Sequence, residues 1–217
     1  MIEIVAEIGS CHGGHLTNAL RLIREAKAAG ANSVKFQCFN VEQLAAKRAK
    51  NKRVVDLAEN FHHRSLIDLY REIHTPREWF PDMIWHANHL NLPWFSSVFH
   101  PDDVAFLETL DCPRYKISAF EMLDGDLINA VVATGKPIIM SVRPMDGVTI
   151  LRATEYDCKA DGALGVSDHS DCMRFISHRC PMVERHLRLP DVPSHDDAFS
   201  STPDEFREYV AKIRAMK

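Results

Sequence analysis

The feature that most constrains this chain is a pair of histidines, each closing a short apolar run. His169 lies in Gly165-Val166-Ser167-Asp168-His169-Ser170, and His186 ends Val183-Glu184-Arg185-His186. Ala163 to Val166 and Pro181 to Val183 have the length and apolar character of buried parallel strands, with Cys172 to Ser177 able to form a short helix between them. In such a βαβ unit the residues just past the carboxyl ends of both strands share one rim. Two imidazoles seventeen residues apart can therefore converge on one ion. On spacing alone a histidine at a strand end is more often a hydrogen-bonded structural residue than a ligand, so the rest of the chain has to decide.

With 217 residues, 46% of them hydrophobic, the chain can bury one sizeable core, and residues 1–217 are expected to form a single domain. The formal charge of -4 and a single basic cluster (Lys47, Arg48, Lys50, Lys52, Arg53) do not describe a nucleic-acid-binding protein, and the cluster reads as a solvated helix or loop face. No run of about 18 apolar residues offers a membrane span. Glu3 and Glu7 interrupt the apolar stretch that a signal peptide would need, so a cytoplasmic protein is expected. Six cysteines without a Cys-x-x-Cys pair read as reduced, mostly buried thiols.

Along the chain, strand and helix patterns alternate. Ile2 to Ile8 reads as a strand, and Gly9 to Gly14 as a turn before a helix from Leu16 to Ala29 stopped by Gly30. Ser33 to Phe39 is a second strand whose Lys35 requires a carboxylate or an anionic ligand, because an unpaired buried ammonium is costly. Residues 40–64 read as a long charged loop. Ser65 to Ile73 is helical, and Thr75-Pro76-Arg77-Glu78 has the form of a capping box opening another helix. Further strands are expected at Leu92 to Ser97, Tyr115 to Ser118, Pro137 to Ser141 and Gly147 to Ala153. Helices are expected from His100 and over Asp126 to Thr134, and a last helix starts at the capping box Thr202-Pro203-Asp204-Glu205.

Eight strands mostly separated by helices indicate an α/β fold, a compact parallel (β/α)8 TIM barrel. Only Pro144-Met145-Asp146 separates the fifth and sixth strands, and Thr154 to Gly162 is short, so the outer helices 5 and 6 are expected to be missing or reduced. One rim should then gather Glu7, Lys35, Ser97, Lys116, Ser141, Ser167, His169 and His186. Two lysines and several hydroxyls suit a phosphate, paired imidazoles suit a divalent transition metal, and a carboxylate completes an acid/base set.

Six motifs, taken in order, now carry a resemblance: Ala6-Glu7-Ile8-Gly9, Val34-Lys35-Phe36-Gln37, Tyr115-Lys116-Ile117, Thr134-Gly135-Lys136-Pro137, Gly165 to Ser170, and Glu184-Arg185-His186. Together they resemble the nonulosonic acid synthases, which include N-acetylneuraminate, legionaminate and pseudaminate synthases. His74 to Trp79, Phe120-Glu121 and Asp197 to Ser200 look most like the pseudaminate branch.

The resemblance implies a metal-dependent condensation of phosphoenolpyruvate with the aldehyde form of a 2-acetamido sugar. His169 and His186 would hold the divalent metal, with manganese expected first and magnesium or cobalt as alternatives. Glu7 would assist water addition at carbon 2, with Lys35 beside it in the catalytic set. Lys35, Ser97, Lys116, Ser141 and Ser167 would hold phosphoenolpyruvate, Glu121 and Asp196 would touch the sugar, and Tyr156 matches a tyrosine after the sixth strand. Where that family places a phosphate-binding serine the chain has Ala119, with Ser118 beside it. Cys11-His12 stands where the family has Asn-His, and Ser141-Val142-Arg143 where it has Ser-Thr-Gly. The family's C-terminal antifreeze-like domain has no counterpart in the sequence, so the sugar end of the site is expected to be open, and the expected partners are a homo-oligomer or a separate lid-supplying chain. A remnant that binds a phosphorylated or acidic sugar without turnover is the rival reading.

Overall fold

The computed structural model describes residues 2–49, 65–145, 148–153, 165–169, 176 and 180–216. Its frame is a closed barrel of eight strands in chain order. They are β1 (Glu3–Glu7), β2 (Ser33–Cys38), β3 (Trp94–Val98), β4 (Tyr115–Ile117), β5 (Ile138–Met145), β6 (Val148–Ala153), β7 (Gly165–Asp168) and β8 (Met182–His186). Outside the barrel, among the described residues, lie α1 (Leu16–Ala28), α2 (Val41–Arg48), α3 (Leu66–Ile73), α4 (Phe80–His89), α5 (Pro101–Glu108), α6 (Gly125–Ala133) and α7 (Pro203–Ala215). None of the described helices is long and apolar enough to cross a membrane.

The expected barrel is present, with one correction: β6 is not parallel. It pairs antiparallel with both β5 and β7, while the other seven strands run parallel to one another. The reason is the length of the connection. Only residues 146–147 separate β5 from β6, which allows a hairpin and forbids the crossover that a parallel neighbour needs. The helix after β5 is therefore absent. The connection from β6 to β7 and the helix expected over Cys172 to Ser177 lie outside the described residues, Ile176 excepted.

Two other expectations change. Residues 41–48 form α2 and not a loop, capped by the Asn40 side chain, which accepts from the Gln43 amide at 3.0 Å. Its Val41, Leu44 and Ala45 pack with Phe39, Tyr70 and Phe99 in a small satellite core. Thr75 is not an N-cap: residues 77–79 make a 3-10 turn before α4, and the Thr75 hydroxyl donates to the Gly9 carbonyl at 3.1 Å. The Thr202 capping box does form, with Glu205 Oε2 accepting the Thr202 amide at 2.8 Å. Gly30 stops α1 with φ +93°, a value that side chains resist.

Most of the core lies between strands and helices, where Ile4, Ala6, Phe36, Leu22, Ile23, Phe80 and Phe206 are fully buried. The barrel interior is layered, because alternate residues of each strand face inward. At the bottom, Arg114 grips Glu3 through two contacts of 2.7 and 3.0 Å, Ser33 Oγ donates to Glu3 at 2.6 Å, and the guanidinium lies 4.0 Å from the centre of the Phe95 ring. Above it, Val5, Phe95, Ile139 and Met182 form an apolar plug. A layer of buried polar residues lies directly above the plug. Removing one partner of a buried pair strands the other, so Arg114→Ala should cost about 3 kcal/mol in urea unfolding. A loss under about 0.5 kcal/mol would mean that this bottom seal does not support the barrel.

Candidate active site

The polar layer above the plug is built by the same two-residue alternation. Stepping up β1 from Val5 reaches Glu7, and stepping up β8 from Met182 reaches Glu184 and then His186. Lys35 on β2, Ser97 on β3, Lys116 on β4, Ser141 on β5 and Ser167 on β7 complete the ring, all buried. Ser97 and Lys116 are register partners, as are Glu7 and His186.

Glu184 is the hub, and it received no role from the sequence. Lys116 Nζ lies 2.6 Å from its Oε1 and Lys35 Nζ lies 2.9 Å from its Oε2, while Ser167 Oγ donates to Oε1 at 2.8 Å. Burial alone would raise the Glu184 carboxyl, but Lys116 and Lys35 outweigh it and hold the group well below the usual carboxylate range. Burial pulls the Lys35 ammonium below the usual lysine range; Glu184 opposes that shift and Lys116 adds to it. The signal that could have found Glu184 is its place two residues before His186, on the same face of the strand.

Glu7 is fully buried, and every partner it has is a donor. Lys35 Nζ stands 2.8 Å from Oε2, while the Gly9 amide at 2.7 Å and Gln37 Nε2 at 3.1 Å donate to Oε1. Gly9 must be glycine for this to happen, since a Cβ there would lie 2.5 Å from Glu7 Oε1 and 2.2 Å from Gln37 Cγ. The following loop is pinned by His12, whose Nε2 lies 3.2 Å from the Thr75 hydroxyl and whose Nδ1 accepts from the Gly14 amide at 3.1 Å. Burial first, and His74 second, lower the His12 value to about 4. A neutral ring suits that chain, with Nε2–H donating to Thr75 and Thr75 donating to Gly9.

The two histidines come together above this layer. Their ring centres are 5.4 Å apart, and the Phe199 ring stands edge-on to both, at 5.4 Å from His169 and 5.0 Å from His186. Burial and then His186 push His169 down to about 4, which keeps it neutral as a metal ligand must be. His169 Nε2 is 3.4 Å from Ser167 Oγ. His186 Nδ1 lies 3.2 Å from Asp196 Oδ2, outside hydrogen-bonding geometry, and Ser10 Oγ donates to the same Asp196 oxygen. Cys11, His186 and Asp196 bring three donor atoms within 4.8 Å of one another. Two imidazoles, one with a buried unbonded nitrogen, beside a carboxylate form a donor set that fits a divalent ion.

Other expected residues sit apart from this centre. Glu121 is buried beyond β4, bound to Arg48 at 2.5 Å and to the Ser118 hydroxyl. Arg48 therefore belongs to no solvated face; it is buried against Glu121 and stacks 4.4 Å from the Phe120 ring centre. Lys47 likewise turns back, donating to the Phe99 carbonyl at 2.9 Å. Lys50, Lys52, Arg53 and Tyr156 lie outside the described residues. Cys11, Cys38 and Cys112 are free and buried, as expected of reduced thiols, and Cys180 is buried.

Comparison with known proteins places the chain among relatives. The chain is 28% identical to the pseudaminic acid synthase of Helicobacter pylori, over 98% of its own length and 73% of the relative's. It is 27% identical to the pseudaminic acid synthase of Campylobacter jejuni, with the same coverage. That first alignment runs over 255 positions, so the relative has stretches with no counterpart in these 217 residues. Among solved structures, an N-acetylneuraminic acid synthetase from Leptospira borgpetersenii superposes with a TM-score of 0.71 at 20% identity, over 98% of this chain and 82% of that one. The sequence profile of the NeuB family matches residues 22–155, more than half of the chain, and the chain belongs to that family.

Proposed function

We propose that the chain condenses phosphoenolpyruvate with the aldehyde form of an N-acetylated amino sugar, giving a nine-carbon 2-keto sugar acid of the pseudaminate or N-acetylneuraminate type and releasing phosphate. The observation that carries this reading is the pair of buried ammonium groups held at one level by a single carboxylate, directly beneath two imidazoles. An ammonium has three donors. Lys116 gives one to Glu184, Lys35 is ion-paired with Glu7 and Glu184 at 2.8 and 2.9 Å, and the remaining N–H groups are there for an anion. With Ser97, Ser141 and Ser167 beside them, they suit a small ligand carrying both a phosphate and a carboxylate.

His169 and His186 would hold a divalent metal, which polarises the aldehyde when bound. The remaining work belongs to the protein's own groups. Lys35 and Lys116 fix the phosphoenolpyruvate so that its carbon 3 faces the aldehyde, and their charge stabilises the departing phosphate. Glu7, held by Gly9, Gln37 and Lys35, is the carboxylate placed to take the proton of the water that adds at carbon 2. Glu121 and Asp196 stand on opposite flanks of the rim as sugar-facing carboxylates, Glu121 set by Arg48 and Ser118. In this reading the chain is a cytoplasmic carbohydrate-biosynthetic transferase.

The deciding experiment is phosphate release from phosphoenolpyruvate with a panel of 2-acetamido sugars, with manganese, cobalt or magnesium and with chelator. Release only with a sugar and a metal is expected, and its absence across the panel would overturn the reading. Glu7→Gln should abolish condensation while phosphoenolpyruvate still binds. In the parent protein an isotopic label in the bridging oxygen should leave with the phosphate; a label retained in the sugar acid means attack at phosphorus and a different role for Glu7.

Ser118 donates to Glu121, not to the lysine layer, which separates two subsites. Ser118→Ala should leave phosphoenolpyruvate affinity within about twofold and raise the KM for the sugar. Ala119→Ser should tighten phosphoenolpyruvate by about tenfold or more, the worth of one hydrogen bond to a charged group. A large loss of phosphoenolpyruvate affinity in Ser118→Ala would reverse this assignment.

Glu184 also ties stability to pH. Its carboxyl lies below the ordinary value of 4.5 in the folded state, so the stability it contributes is complete above that value and is lost as pH falls through the depressed one. The stability difference between the parent and Glu184→Gln should therefore be largest above pH 5 and shrink on acidification. A difference that stays constant down to pH 3 would show that the two lysines do not hold this carboxylate.

A further inference from the structure

Cys11 stands in the turn after β1, fully buried, where the resemblance predicts an asparagine. Its sulfur, a nitrogen of His186 and an oxygen of Asp196 all lie within 4.8 Å of one another. Two ligand atoms held about 2.0–2.1 Å from a tetrahedral ion are about 3.3 Å apart. The distance of 3.2 Å between His186 Nδ1 and Asp196 Oδ2 is the length of such an edge. That nitrogen is buried without a hydrogen bond, beside the Asp196 carboxylate, in a histidine that is 8% exposed, which leaves its lone pair or N–H unsatisfied by the described protein groups. The outer shell is also in place. Ser194 Oγ donates to Cys11 Sγ at 3.6 Å, and Ser10 Oγ donates to Asp196, which is how a second shell orients ligands.

We infer that Cys11 is a metal ligand of this protein, completing with His186 and Asp196 a sulfur, nitrogen and oxygen set beside His169, and that the ion it selects is thiophilic, of the zinc or cobalt(II) class, not manganese or magnesium. The inference rests on the proposal that a metal sits at the two histidines, and adds to it a ligand and a preference. Thiolate favours softer ions, whereas a set of imidazole, carboxylate and water is open to manganese. It also changes the role of Asp196, which becomes a ligand and not a sugar contact.

The test is cobalt(II) titration of the reduced full chain, read by absorption. The parent should bind one cobalt(II) with a near-ultraviolet sulfur-to-metal charge-transfer band, and Cys11→Ser and Cys11→Asn should lose the band. Cobalt and zinc affinity should fall by at least about tenfold in both variants, while manganese affinity changes by less than about twofold. X-ray absorption on the zinc-loaded parent needs no variant, and should show one sulfur at about 2.3 Å. Binding of cobalt(II) with only nitrogen and oxygen neighbours, or a band that survives in both Cys11 variants, would overturn the sulfur ligand and leave the histidine site standing. Failure to bind any of these ions, or binding that His186→Ala leaves unchanged, would overturn both.

Discussion

Everything above the apolar plug depends on one shared charge, the Glu184 carboxylate between Lys35 and Lys116. Two buried ammonium groups cannot stand at one level of a closed barrel without an anion, because burial and mutual repulsion both work against them. Glu184 supplies that anion from β8, which adjoins neither lysine's strand, and Ser167 on the adjacent β7 fills one more of its lone pairs. The arrangement fixes both lysines before any ligand arrives. A phosphate that enters therefore meets donors already in position, which is the condition for electrostatic preorganisation.

The barrel separates this layer from its own foundation. Below the Val5, Phe95, Ile139 and Met182 plug, Arg114 and Glu3 pair with each other at the end away from the rim. A charged pair there serves closure of the barrel, whereas the charges above the plug are directed at a ligand. The same strands carry both: β1 has Glu3 below and Glu7 above, with Val5 between them. Strand alternation is thus the device that places function at one end and stability at the other.

That alternation explains how much was legible beforehand. The eight strands, the rim residues Glu7, Lys35, Lys116, Ser167 and His186, and the closed barrel follow from apolar runs that end in polar residues. Glu184 was equally legible, since it sits in register with them, but a glutamate next to an arginine reads as a surface pair until its face is fixed. The direction of β6 was not read although its signal was present: a two-residue connection is a hairpin, and the expectation of a uniform barrel overrode it. Residues 41–48 were obscured in the same way, by the basic cluster at the end of α2. Val41, Leu44, Ala45 and Arg48 have helical spacing after a capping Asn40, yet the positive charges suggested solvent. Arg48 is buried because a distant residue, Glu121, waits for it, and no local pattern encodes a contact across 73 positions.

The reversed strand bears on how a short chain keeps a full rim. A parallel sixth strand would require two crossovers, each with its own helix. The hairpin of β5 and β6 replaces the first with two residues, and β6 still pairs on both sides, so no edge is left open and the ring of strands stays closed. The cost falls on the rim. A reversed strand presents its amino-terminal end at the top, so Val148, not the strand's last residue, stands level with Asp168. Seven strands deliver their carboxyl ends to the site, and the sixth delivers its amino-terminal end. The groups that carry the proposed chemistry all come from the other seven and from the loops after β1, β4, β7 and β8, which is why the centre survives the reversal.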